Sequence, residues 1–138
     1  MLSARQIMRQ PVITIRAAES VAQAVREMQA HDISCLLVEP RFEGEGYGII
    51  TKADVVAKVV ARSREPGRIH VSAVMTRPLH TVAPDCTLRQ CAALMMRHHV
   101  RRLPVVTERG EPIGIVSDSD VFDALLAFQT EGAASFSL

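Results

Sequence analysis

Two four-residue segments carry side chains whose types and spacing could do chemistry: Ser117-Asp118-Ser119-Asp120 and Thr51-Lys52-Ala53-Asp54, each directly after an apolar run. A carboxylate in such a place can accept from two hydroxyls at once, and charged hydrogen bonds exceed neutral ones in strength. A helix starting there would offer free N–H groups and partial positive charge to a phosphate. Ser or Thr three residues before Asp is equally the spacing of a capping box, which needs no ligand. The spacing suits both readings, and the two roles are compatible.

Other chemistries find no support. The five histidines and three cysteines form no nucleophile-and-base or metal-ligand pattern, and His98 beside His99 would point about 100° apart on a helix. The glycines form neither GxGxxG nor GxxxxGK[ST]. Cys35, Cys86 and Cys91 leave one thiol over in any disulfide scheme and match no zinc spacing, so they read as small buried residues. No catalytic role and no metal are expected.

The elements that would position these segments are written twice. Met8, Pro11, Thr14, Gln23, Met28, His31, Leu36 and Val38 recur as Met75, Pro78, Thr81, Gln90, Met95, His98, Leu103 and Val105. After one residue is lost from a loop, Gly48, Ile49, Asp54 and Val55 recur as Gly114, Ile115, Asp120 and Val121.

Each copy begins with Met-x-x-Pro and a short alternating stretch, Val12 to Ile15 or Leu79 to Val82, that reads as a strand. Capping boxes at Ser20/Gln23 and Thr87/Gln90 then start a helix. Val21, Ala24, Val25 and Met28, or Leu88, Cys91, Ala92 and Met95, form its apolar face. Two apolar runs follow as paired strands. A second helix closes each copy, with Val55, Val56 and Val59, or Val121, Phe122 and Leu125, expected on its buried side. The fold class is α+β, with two β-α-β-β-α repeats. Residues 1–61 form the first, an exposed linker over 62–73 follows at Pro66-Gly67, residues 74–128 form the second, and a polar tail occupies 129–138. A unit of about 55 residues has little interior of its own, so the two sheets are expected to pack together with helices outside.

Composition narrows the function classes. Sixteen Lys and Arg against fifteen Asp and Glu give a net charge of +1, so no general field attracts nucleic acid or an anionic membrane. Aromatic residues are 4% of the chain, which leaves little for base stacking. Nucleic-acid binding through Arg97, Arg101, Arg102 and the linker arginines is therefore the weakest of the alternatives. No apolar run approaches a membrane span and the N-terminus lacks a secretory signal, so a cytoplasmic protein is expected.

The duplicated order, with GIITKADV closing one copy and RRLPVVTERGEPIGIVSDSDV the other, resembles the cystathionine-β-synthase (CBS) domain pair, or Bateman module, from about Ile7 to Ala127. The resemblance implies two repeats related by pseudo-twofold symmetry, a cleft between them that takes AMP, ADP, ATP or S-adenosylmethionine, and pairing into homodimers. It implies a regulator that changes conformation and signals to an effector protein. With both repeats filling the chain, it is expected to stand alone.

By the same resemblance Asp120 would hold ribose hydroxyls, Ser117 would lie near phosphate, and Thr51 and Asp54 would match them in the first copy. Arg101 and Arg102 fall where nucleotide-binding members place phosphate-touching cations, although a solvated basic pair explains them as well. Thr81, Val82, Leu103 and Val105 would border the adenine, or simply be core. Ser34 and Cys35 replace the arginines in the first copy, which weakens its claim to a phosphate. A ligand-independent dimerisation or docking module would share the whole fold.

Overall fold

The computed structural model describes residues 2–77 and 79–130. In chain order the elements are α1 (Ala4–Ile7), β1 (Thr14–Ile15), α2 (Val21–His31), β2 (Cys35–Val38), β3 (Gly48–Thr51), α3 (Lys52–Val55), α4 (Leu88–His98), β4 (Arg102–Val106), β5 (Pro112–Ser117) and α5 (Asp118–Thr130). They group into two compact units, Ile13–Leu79 and Met1–Val12 with His80–Leu138. Each holds a β-α-β-β-α repeat of a mixed α+β fold. Pro78 and residues 131–138 of the expected tail lie outside the described residues. Helix α5 runs through residues 129 and 130, where the tail was expected to begin.

In the first-repeat unit, β1 pairs parallel to β2, and β2 antiparallel to β3, with Cys35 opposite Thr51 and Val38 opposite Gly48. All four β2 residues are buried, as a central strand requires. Ser20 caps α2 by accepting from the Gln23 N–H at 3.0 Å. The Gln23 amide does not reach back to complete a box. It donates to Glu27 and accepts from Arg26, polar partners one helical turn along that capture it. The full box does form at Thr87 and Gln90 on α4.

The expected exposed linker is not exposed throughout. Ile69 and Val71 are buried with Ile15, Val21, Met28, Leu36 and Val59 in this unit's core. Backbone bonds stitch the segment to the entrance of α2: Val21 N–H to Ile69 O, Val71 N–H to Glu19 O, and Ser72 N–H to Ala17 O. Two apolar side chains among polar neighbours give no periodicity, yet fully burying a valine contributes roughly 1.5 kcal/mol or more.

Helix α3 lasts four residues and continues as a π turn over Val56–Val60. Val55 and Val59 are buried, while Val56 and Val60 face outward, at 59% and 64% exposure. The sequence reading put Val56 inside, and Phe122 likewise; Phe122 is 68% exposed, and Ala124 takes the buried place on α5 instead.

The second-repeat unit carries the β4–β5 hairpin, with Arg102 opposite Ser117 and Leu103 opposite Val116. The strand expected over Leu79–Val82 reduces to one parallel bridge, Val82 to Val105, because only Val82 exchanges backbone bonds with β4. The chain's first residues complete this unit. Ala4 and Arg5 donate to the carbonyls of Cys86 and Pro84, and Arg9 exchanges backbone bonds with Ile115 of β5. In the first-repeat unit Thr76 pairs with Ile49 in the same way. Each Met-x-x-Pro segment therefore lies against the closing hairpin of the repeat it does not precede.

A glycine of each hairpin lies close beneath that segment. A Cβ on Gly114 would fall 2.7 Å from Met8 Cγ, and one on Gly48 would press 3.2 Å from Arg77 Cγ.

Candidate functional site

Helix α5 starts where β5 ends, and its mouth is built by a reciprocal cap. Ser117 N–H donates to Asp120 Oδ2 at 2.8 Å, and Asp120 N–H donates to Ser117 Oγ at 3.2 Å. The mouth of α3 repeats the device: Thr51 N–H to Asp54 Oδ2 at 3.0 Å, and Asp54 N–H to Thr51 Oγ1 at 3.1 Å. The capping role is thus real at both sites. What separates them is the cation each carboxylate meets.

Asp120 is buried, and its second oxygen, Oδ1, accepts from Arg9 Nε at 2.9 Å. The Arg9 side chain is 74% exposed, so the cation stands in solvent while the carboxylate does not. Its hydrogen bond and charge attraction to Asp120 raise the Arg9 pKa above its ordinary value. Asp54 meets a local partner instead, Lys58 at 3.5 Å one turn along, and Lys58 also donates to the Val74 carbonyl.

Arg9 escaped the sequence reading. It is placed by the backbone pairing of Arg9 with Ile115, and the repeated Met8 and Met75 marked those segments without showing that they cross to the other repeat.

The hairpin register carries Arg101 and Arg102 to the same mouth. Arg102 lies opposite Ser117, and the Arg101 carbonyl accepts the Asp118 N–H at 2.9 Å. In the first repeat, Ser34 and Cys35 take these places, the Ser34 carbonyl accepting from Lys52 N–H. At the second-repeat mouth the Ser117, Asp120 and Arg9 groups are in contact, and the backbone of Arg101 and Arg102 runs beside them. The first-repeat mouth gathers Thr51, Asp54 and Lys58.

Leu103 and Val105 are fully buried in the second unit's core with Val82, Cys91 and Val116, so a ligand could meet only their backbone. Thr81 is exposed, and Thr81 and Val82 border a groove of about 720 Å³ that also takes in Arg5, Arg109, Asp85 and Glu111. Neither Ser117 nor Asp120 lines that groove. The site residues named from sequence therefore fall into two groups, one at the α5 mouth and one at the Thr81 groove.

Among the described residues no group of three or more His, Cys, Asp or Glu is placed to hold a metal ion, and no helix is long and apolar enough to cross a membrane.

The CBS domain family model matches the chain twice, over residues 4–61 and 71–127. The chain belongs to the CBS domain family. Its two matches coincide with the two β-α-β-β-α repeats, so it is a tandem CBS pair. A Methanopyrus kandleri protein of uncharacterised function is 32% identical over 120 residues, covering 87% of this chain and 61% of the relative. The chain thus spans less than two thirds of that relative's length. Among solved structures, the hexameric CBS-CP12 protein from bloom-forming cyanobacteria aligns with a TM-score of 0.84 and 33% identity, over 94% of this chain and 80% of that one. The CBS domain pair of protein MJ0100, in complex with 5′-methylthioadenosine and S-adenosyl-L-methionine, aligns with a TM-score of 0.79 and 25% identity, over 92% and 98%.

Proposed function

We propose that this CBS pair is a regulatory, non-catalytic module that binds an adenosine-containing ligand at the mouth of α5. The observation that carries the reading is the buried Asp120 carboxylate, held in a fixed orientation by its own cap and by Arg9. An ionised carboxylate has about four acceptor positions. Ser117 N–H and Arg9 Nε take two, which leaves two for the vicinal hydroxyls of a ribose. Ser117 at the helix start, with Arg9, Arg101 and Arg102 around it, supplies donors and positive charge for a phosphate or a sulfonium ligand's carboxylate. AMP, ADP, ATP and S-adenosylmethionine all fit that description, and the MJ0100 pair, similar in fold, holds two adenosine derivatives.

Bound ligand would favour one conformation of the module, which an effector protein then reads. The first-repeat mouth, with Asp54 and a single lysine, is the weaker candidate.

Thermal melting with AMP, ADP, ATP, S-adenosylmethionine and 5′-methylthioadenosine tests the reading. A ligand at 100 times its dissociation constant adds roughly 2.7 kcal/mol of stability and raises the melting temperature. No shift with any of the five would favour the second reading, a ligand-independent interaction module.

That second reading rests on a separate observation. Val56 and Val60 on the first repeat's closing helical segment, and Phe122 and Leu126 on α5, are all more than half exposed. Exposed apolar residues at matching helical positions suit self-association. Homodimer formation is compatible with either reading.

A further inference from the structure

Cys86 and Cys91 stand with their Sγ atoms 3.6 Å apart. Cys86 immediately precedes Thr87, the N-cap of α4, and Cys91 follows four residues after that cap. These are the two positions of a hydrophobic staple, where apolar side chains pack across the entry to a helix. In this chain both members are thiols, and a disulfide needs the sulfurs at about 2.05 Å. A closure of about 1.5 Å therefore separates the staple from a covalent bond.

The two thiols differ in access. Cys86 is half-buried and lines a groove of about 450 Å³ beside Gln90 and Arg97. Cys91 is wholly buried in the second unit's core. Cys35, the remaining cysteine, sits in β2 of the other unit.

We infer that Cys86 and Cys91 form an oxidisable pair, a modification site at which a peroxide converts the α4 staple into an intramolecular disulfide. Cys86, the accessible sulfur, attacks one peroxide oxygen. The O–O bond breaks, one water leaves with the Cys86 thiol proton, and Cys86 becomes a sulfenic acid. The Cys91 sulfur then attacks the Cys86 sulfur, the S–O bond breaks, and the hydroxyl leaves as a second water with the Cys91 proton. Two thiols lose two electrons in total, and hydrogen peroxide gains them. Burial pushes the Cys91 thiol up to about 12, so Cys86 and not Cys91 is the sulfur that meets peroxide first. The modification reaches the chain's beginning directly, since the Cys86 carbonyl accepts the Ala4 N–H at 2.7 Å.

The whole chain, reduced and freed of reductant, would be treated with a few equivalents of hydrogen peroxide, alkylated after denaturation and digested with trypsin. Cleavage after Arg89 puts the two cysteines on different peptides, so the inference predicts that the peptide ending at Arg89 is joined to Gln90–Arg97 and released by reductant, while Cys35 is alkylated. In the Cys86→Ser variant, Cys91 should oxidise at least roughly tenfold more slowly, as burial of the remaining thiol requires. In Cys91→Ala, Cys86 should stop at a sulfenic acid trapped by a dimedone probe. Cys86 and Cys91 both alkylated after treatment, joining only between separate chains, or equal oxidation of Cys91 with and without Cys86, would each overturn the proposal.

Discussion

Arg9 donates through Nε to Asp120 Oδ1 at 2.9 Å, joining residues 111 apart in the sequence. The contact exists because the first Met-x-x-Pro segment lies along β5, so that a residue at the start of the first repeat supplies the cation for the carboxylate that closes the second. Asp54 instead takes the lysine on its own helical segment. Two mouths with the same cap have thereby become chemically different.

Replacing Arg9 by Ala leaves a buried carboxylate with its cap but without its cation. Solvent screens the exposed guanidinium, so a destabilisation of about 1 kcal/mol is expected, less than for a fully buried pair. Urea unfolding of both proteins measures it. Arg9 also orients Asp120, so the variant should bind adenosine ligands several-fold more weakly; tighter binding would mean that Arg9 competes with the ribose.

Gly114→Ala should destabilise by roughly 1–3 kcal/mol, because the new methyl group meets the Met8 side chain and must push the segment off β5. Truncating the obstacle in the double variant Gly114→Ala, Met8→Ala should recover part of that loss. Gly67→Ala, with open space around its Cβ, should be close to neutral. Denaturant midpoints of the four proteins check the pattern.

The rings of His80 and His98 stack at 3.7 Å between centroids, 7° from parallel. Desolvation, His80, Arg97 and His99 together lower the His98 pKa below its usual 6.5. The unfolded chain therefore takes up this proton more readily than the folded one. The pair's contribution to stability is intact above that usual value and is lost as pH falls through the lowered folded value. Urea midpoints on either side of the imidazole range should diverge more for the parent than for His98→Gln.

Much of this was legible in the sequence, and the boundary is physical. Local signals read well. The duplicated order gave the repeats, and Thr51/Asp54, Thr87/Gln90 and Ser117/Asp120 cap as their spacing predicts, since a cap needs only residues three apart. Non-local placement did not read. Nothing near Arg9 points to Asp120, although Gly48 and Gly114, recurring inside strands, are the kind of signal that marks close approach by another segment. Val56 and Phe122 read as buried because each follows a core valine, yet a neighbour on a helix points about 100° away, and both face outward. The cysteines read as small buried residues, and the 3.6 Å approach of Cys86 to Cys91 across the α4 cap comes from the structure.

Direct titration calorimetry on the parent and Asp120→Asn, which keeps the side chain's shape and an oxygen for the cap while removing the charge, tests the central claim most closely. The account predicts saturable binding of at least one of AMP, ADP, ATP or S-adenosylmethionine by the parent, weakened in the variant by roughly 1.5–3 kcal/mol, the worth of hydrogen bonds to a charged group. Equal affinity in the two proteins, or no binding of any of the four by the parent, would contradict it.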